Sequence, residues 1–210
     1  MGRRFAEIAF TERVKEQQRL HGSRHLYERV EHSNDLGDRL GEFEQSFIGE
    51  RDGFYLASVT ESGWPYIQFR GGSKGFLRVL DERTLAFADL RGNKQYISVG
   101  NLQHDDRVAM FLMDYPNQSR LKILGHAKVY EGDDEARALV AKLRVPEEKT
   151  PPERAIVIQV AGFDWNCPQH ITPRYTEEEL TRILEPMRKR LESLEAENKR
   201  LRGAQSRGEA

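Results

Sequence analysis

From Gly53 to Val160 the sequence is a succession of short apolar segments separated by turn-forming residues. GFYLASV (53–59) and WPYIQFR (64–70) flank the turn TESG, a spacing that predicts a hairpin. GFLRVL (75–80) and TLAFAD (84–89) form a second pair around DER. RVAMFLMD (107–114) and RLKILGHAKVY (120–130) form a third, and the YPNQS between them is rich in turn residues. GDDEARALVAKLR (132–144) then changes to a helical period, with Asp133 or Asp134 as N-cap, before a Pro-rich link and a last strand, AIVIQV (155–160). Six or seven such strands with short helices between them predict a mainly β protein with helices (α+β), built as a small antiparallel barrel. A parallel βαβ sheet does not fit this order.

The flanks differ in character. Residues 11–46 carry Val14, Leu20, Leu26, Tyr27, Val30, Leu36, Leu40 and Phe43 among many charges, broken at Gly22, Gly37 and Gly41, which reads as short surface helices. The expected organisation is an N-terminal helical arm over 1–42, a barrel over 43–173, and a C-terminal helix with a disordered tail over 174–210. Charged residues make up 32% of the chain but the net charge is −1, so nothing in the balance asks for nucleic acid or an anionic membrane. No apolar run reaches bilayer length and MGRRFAEIAF is too polar for a signal peptide, so a cytoplasmic protein is expected. Neither G-x-G-x-x-G after a strand nor a P-loop is present, which argues against a Rossmann or Walker nucleotide site.

FADLRGNKQYISVGNL (87–102) is the most informative stretch. A strand ends at Asp89, the chain turns through Arg91-Gly92-Asn93, and KQYISVGNL reads as a short helix whose free N–H groups would point outward beside Arg91 and Lys94. Such a corner suits a phosphate, although an ordinary strand–helix turn with solvated charges has the same sequence. QFRGGSKGF (68–76) offers a second basic, glycine-rich turn, with Arg70 in reach of the same ligand or simply part of a hairpin loop.

Taken in order, GFYLASVTESGWPYIQFRGG, TLAFADLRGNKQYISVGNL, DDRVAMFLMDYPNQSRLKILGHAKV and WNCPQHI resemble the pyridoxamine 5′-phosphate oxidase-like, FMN-binding split-barrel family over about residues 43–173. The resemblance implies an antiparallel split β-barrel that forms a homodimer, with FMN in a groove at the subunit interface. It implies that Gln68, Phe69 and Arg70 flank the flavin ring and ribityl chain, and that Phe87, Ala88 and Asp89 face the ring. Asn93 and Lys94 match the basic pair that holds the phosphate, with Arg91 as helper. Ser119 and Arg120 match the strand start that reaches the flavin of the other subunit, where Arg120 replaces a frequent glutamine. A cation there would favour the reduced flavin. Trp165 and Gln169 fall where the C-terminal segment closes over the cofactor.

Flavin chemistry resides in the cofactor, so the resemblance demands no catalytic side chain and none is nominated. It implies an FMN-dependent oxidoreductase for a small-molecule substrate. F420 or haem in the same groove, or a non-catalytic flavin-binding or dimeric interaction module, are the alternatives. The vitamin B6 enzyme itself carries an Arg-x-His segment near its C-terminus, whereas here His170 precedes Arg174.

The stretch DWNCPQHITPRY (164–175) holds the one cysteine of the chain. Pro168 keeps Cys167 and His170 from having to face each other, and the remaining histidines lack ligand spacing, so a nucleophilic dyad or a metal site is not expected. Beyond it, Thr176 and Glu179 form a capping box. Leu180, Leu184, Met187, Leu191, Leu194, Asn198 and Leu201 then alternate at four and three, with Asn198 at an a position, which fits a parallel coiled coil or a helix lying on its own barrel. Pro186 is expected to kink or break this helix and Gly203 to end it. No basic region precedes the heptads, so a DNA-binding zipper does not fit.

Overall fold

A computed structural model describes residues 1–165 and 169–208, with side chains for all of these but 203–208. Cys167 lies outside the described residues. The chain divides into two units, one of Met1–Asp114 with Gln118–Ile171, the other of Tyr115–Asn117 with Thr172–Ala210.

The first unit holds the seven strands found among the described residues: β1 (Gly53–Val59), β2 (Pro65–Gly71), β3 (Arg78–Asp81), β4 (Thr84–Leu90), β5 (Arg107–Asp114), β6 (Ser119–Tyr130) and β7 (Pro152–Trp165). They form one antiparallel sheet in the order β2-β1-β5-β6-β7-β4-β3. This is the antiparallel split barrel of an α+β protein, and its two edge strands, β2 and β3, follow one another in the chain. Alternate residues of the strands meet in a single core: Phe54 and Leu56 of β1, Leu85 and Phe87 of β4, Met110 and Leu112 of β5, Leu121 and Ile123 of β6, and Ile156 and Ile158 of β7. Phe76 and Leu77, between β2 and β3, join the same cluster. Burial of such side chains, each contributing about 1.5–3 kcal/mol, is what gathers the strands around this core.

β7 is much longer than AIVIQV because it pairs with two neighbours, Leu90↔Pro152 at one end and Leu121↔Trp165 at the other. The β6–β7 register shifts between Leu124 and Gly125. A Cβ at Gly125 would stand 2.4 Å from the Gln159 carbonyl oxygen, so only glycine fits that bend.

Short helices surround the sheet. α1 (Arg3–Ala9), α2 (Glu12–Leu20), α3 (Arg24–Glu31) and α4 (Glu42–Gly49) precede β1, α5 (Ile97–His104) follows β4, and α6 (Asp134–Leu143) follows β6. Asp133 caps α6, its carboxylate accepting the Ala136 N–H at 2.7 Å. α6 covers the outer face of β4 and β7, where Ala86, Ala88 and Ala155 are small enough for Leu143 to seat. That is why TLAFAD is buried on both faces.

In the second unit α7 runs from Glu177 to Gly208. Its capping box is formed reciprocally: Thr176 N–H donates to Glu179 Oε2 at 2.8 Å and Glu179 N–H to Thr176 Oγ1 at 3.2 Å. Contrary to expectation, the helix continues through both Pro186 and Gly203. Proline removes one ladder hydrogen bond but leaves those on either side, and glycine lowers helix propensity by only about 1 kcal/mol. No helix among the described residues is long and apolar enough to cross a membrane.

Candidate functional site

β4 and α5 are joined by Arg91–Tyr96, and this link shapes the site. Helix α5 starts at Ile97, later than the sequence suggests, because Lys94 (φ 60°) and Tyr96 (φ 56°) take left-handed backbone conformations before it. Two buried or half-buried polar pairs then hang α5 on the sheet. Asn101 Nδ2 donates to Ser58 Oγ at 2.9 Å, and Ser98 Oγ donates to Gln68 Oε1 at 3.1 Å. Buried polar groups without such partners would be destabilising, so these bonds fix the helix over the start of the barrel.

Asp89, almost completely buried, is the centre of the charge network. It accepts from Arg70 Nη1 at 2.7 Å and from Arg154 Nη1 at 3.0 Å. Arg154 stands opposite Asp89 in the β4–β7 ladder and also donates to Glu131 at 2.7 Å and Glu153 at 3.1 Å. Its guanidinium carbon lies 5.1 Å from the centre of the Tyr96 ring. Burial opposes the charge on Arg154, but the hydrogen bonds it donates to Glu131 and Asp89 outweigh it and raise its pKa. Arg91 Nε pairs with Glu153 at 3.0 Å.

Two cationic groups keep unused capacity in this cluster. Arg70 Nε is buried with no hydrogen-bond partner, and Lys94 makes no ion pair among the described residues. Both residues line a surface pocket together with Gln68, Asn93, Ser98 and Arg154. An adjoining open space shares Gln68 and Arg70 and extends past Phe69, Phe87, Ala88 and Arg91. An anion at the first pocket would meet the Arg70 fork, the Lys94 ammonium and the start of α5, an arrangement suited to phosphate.

Gln68, Phe69, Arg70, Phe87, Ala88, Asp89, Arg91, Asn93 and Lys94 therefore come together around two joined spaces. The Phe87 side chain itself belongs to the core, edge-on to Phe54 at 5.3 Å. Phe69 points to the opposite face of β2 from Gln68 and Arg70 and meets Tyr55 with ring centres 5.4 Å apart. Ser119 and Arg120 line neither space. Arg120 Nε is buried without a partner, and its guanidinium lies 5.9 Å from the Phe111 ring centre. Trp165 is held by α4, its indole N–H donating to Glu44 Oε1 at 2.8 Å between Phe43 and Phe47. Gln169 is exposed. Arg154, Tyr96 and Ser98 also line the site and are not among the residues the sequence singles out.

The family profile described as pyridoxamine 5′-phosphate oxidase matches residues 40–164, more than half of the chain. The chain belongs to the pyridoxamine 5′-phosphate oxidase family. Among solved structures, HupZ of Group A Streptococcus aligns with a TM-score of 0.49 at 15% identity, over 64% of this chain and 98% of its own. An FMN-binding protein of Syntrophomonas wolfei aligns at 0.48 and 13% identity, over 70% and 97%. An F420 reductase aligns at 0.41 and 22% identity, over 57% and 94%. A comparison with curated proteins found no match. The family match runs through β1–β6 and nearly all of β7, so it contains the Arg70–Asp89–Lys94 cluster and excludes α7.

Proposed function

We propose that this member of the pyridoxamine 5′-phosphate oxidase family is an FMN-binding oxidoreductase acting on a small molecule as a homodimer. The observation that carries the reading is that Arg70, with its buried unpartnered Nε, and Lys94, without an ion pair among the described residues, line one pocket. Asn93, Lys94 and Arg70 would hold the phosphate, with Arg91 at its edge. Gln68 and the backbone of Phe87–Asp89 would run beside the ribityl chain and ring. Bound FMN would supply hydride transfer at its N5. The protein's part is to bind, orient and shield: the clamp of Arg154 on Asp89 holds the Arg70 fork in position, and the core behind Phe87 keeps water from that side.

The outer face of β1, β2 and β5 supports the dimer. On β2 Ile67 is 62% and Phe69 58% exposed, and Phe69 stands opposite Tyr55 of β1, which in turn stands opposite Phe111 of β5, an apolar patch that water does not favour leaving open. In the dimer, Ser119 and Arg120 of one copy would meet the flavin held by the other, and Arg120 Nε would gain a partner there. Trp165 and Gln169 would close the groove.

The absorption spectrum of the purified protein tests the cofactor. FMN gives two bands in the near-ultraviolet and blue, F420 a single violet band and haem a sharp Soret peak. Lys94→Ala, which removes one charge-assisted contact of about 1.5–3 kcal/mol, is expected to weaken FMN binding by roughly 10–100-fold in a fluorescence titration. Unchanged FMN affinity would remove Lys94 from the site.

A further inference from the structure

The geometry of α7 points to a second copy of this chain as its cover, in a parallel, in-register, two-stranded coiled coil. The inference is independent of the flavin reading. Leu180, Leu184, Met187, Leu191, Leu194 and Leu201 lie on one stripe and are each 43–68% exposed. They occupy a and d positions over about three heptads, the periodicity of a two-helix seam. Pro186 falls at a c position, away from the seam, so neither its ring nor the hydrogen bond it removes disturbs that face.

Asn198 and the flanking charges select the partner. Asn198 is in the stripe at an a position. Against an apolar surface its amide would be buried without a partner, whereas a parallel copy in register sets Asn198 opposite its equivalent. The ion pairs within α7 use Glu178, Arg182, Glu185, Arg188, Lys189 and Glu192. Arg190, Glu195, Glu197 and Arg202 take no part in ion pairs among the described residues, and their spacing of five does not bring them together on one helix. Across a parallel seam the same residues become g–e′ neighbours: Arg190 faces Glu195 of the other copy, and Glu197 faces Arg202. Both pairs attract. The four charges and the asparagine are thus placed for a copy of the same helix.

Disulfide trapping in the 210-residue chain tests this. Cys167→Ser removes the one native thiol. In that background Leu201→Cys, at a seam position, is expected to form a covalent dimer under mild oxidation roughly tenfold or more faster than Ala196→Cys, at the outward f position. Co-expressed Leu180→Cys and Leu201→Cys chains should give no mixed disulfide. Glu195→Arg with Glu197→Lys should slow Leu201→Cys trapping by roughly threefold or more at low salt, and co-expression with an Arg190→Glu, Arg202→Glu chain should restore it. Circular dichroism on each variant verifies that the helix is retained. Equal rates at Leu201→Cys and Ala196→Cys, a dominant mixed Leu180–Leu201 disulfide, or no covalent dimer from helical protein would each overturn the proposal. Those outcomes correspond to an open helix, an antiparallel pair, or cover by the chain's own barrel or another protein. None of these readouts depends on flavin, so failure here is distinguishable from failure of the FMN reading.

Discussion

Asp105 shows how a single side chain sets a strand entry. It lies just past the end of α5, and its carboxylate accepts the Arg107 N–H at 3.0 Å while pairing with the Arg107 guanidinium. The Arg107 side-chain hydrogen bonds, then the backbone one, hold its pKa far below the usual carboxylate range. An unfolded aspartate titrates near about 3.9, so between the two values the unfolded chain binds more protons. The stabilisation is therefore complete above about pH 4 and is lost as pH falls towards the folded value. Asp105→Asn is expected to be less stable at neutral pH and to lose less stability between about pH 4 and 2, as followed by thermal melts across pH. Lys94 and Tyr96 show a different dependence. Their left-handed backbones start α5 later than KQYISVGNL suggests, and residue type alone gave no sign of it. Arg154 was hidden for a related reason: only the β4–β7 ladder, joining residues far apart in sequence, sets it against Asp89.

Among the elements, hairpins and caps were the most legible. TESG, DER and YPNQS each turn the chain between antiparallel neighbours, and Asp133 and Thr176 cap the helices they precede. These are local signals, decided by backbone conformation over a few residues. Strand extent was not legible, since β7 owes its length to β4 and β6 rather than to its own pattern. The bend in β6 also depends on a distant neighbour. Gly125→Ala would drive its Cβ into the Gln159 carbonyl, a backbone atom with little room to yield. The expected destabilisation is about 1–3 kcal/mol, read from the shift in chemical denaturation midpoint.

At the scale of the whole molecule, the unit with the sheet also holds both buried clusters, whereas α7 lies in the other unit. Shortening the chain to end at Pro173 is expected to leave the barrel folded, with a thermal transition within a few degrees of the full chain, about 1 kcal/mol for this size. In that shortened chain the outer face of β1 and β2 would be the remaining route to a dimer. Ile67→Asp, at a 62% exposed position beside β1, should then give monomers by light scattering and weaken FMN binding, because the proposed groove needs both copies. A shortened Ile67→Asp chain that remained dimeric would place the interface elsewhere.

The antiparallel strand succession, the basic turn after Asp89, the family resemblance and the heptad stripe of α7 are all written in the order of the residues. Each depends on periodicity or on residues adjacent in the chain, which propensity and patterning fix locally. Tertiary contacts, by contrast, set Arg70 and Arg154 together on Asp89, leave Arg70 Nε without a partner, bring Arg70 and Lys94 to the lining of one pocket, and fasten Trp165 to α4. Those facts arise from strand pairing and packing between residues up to 121 apart, and no local pattern encodes which distant side chain will arrive.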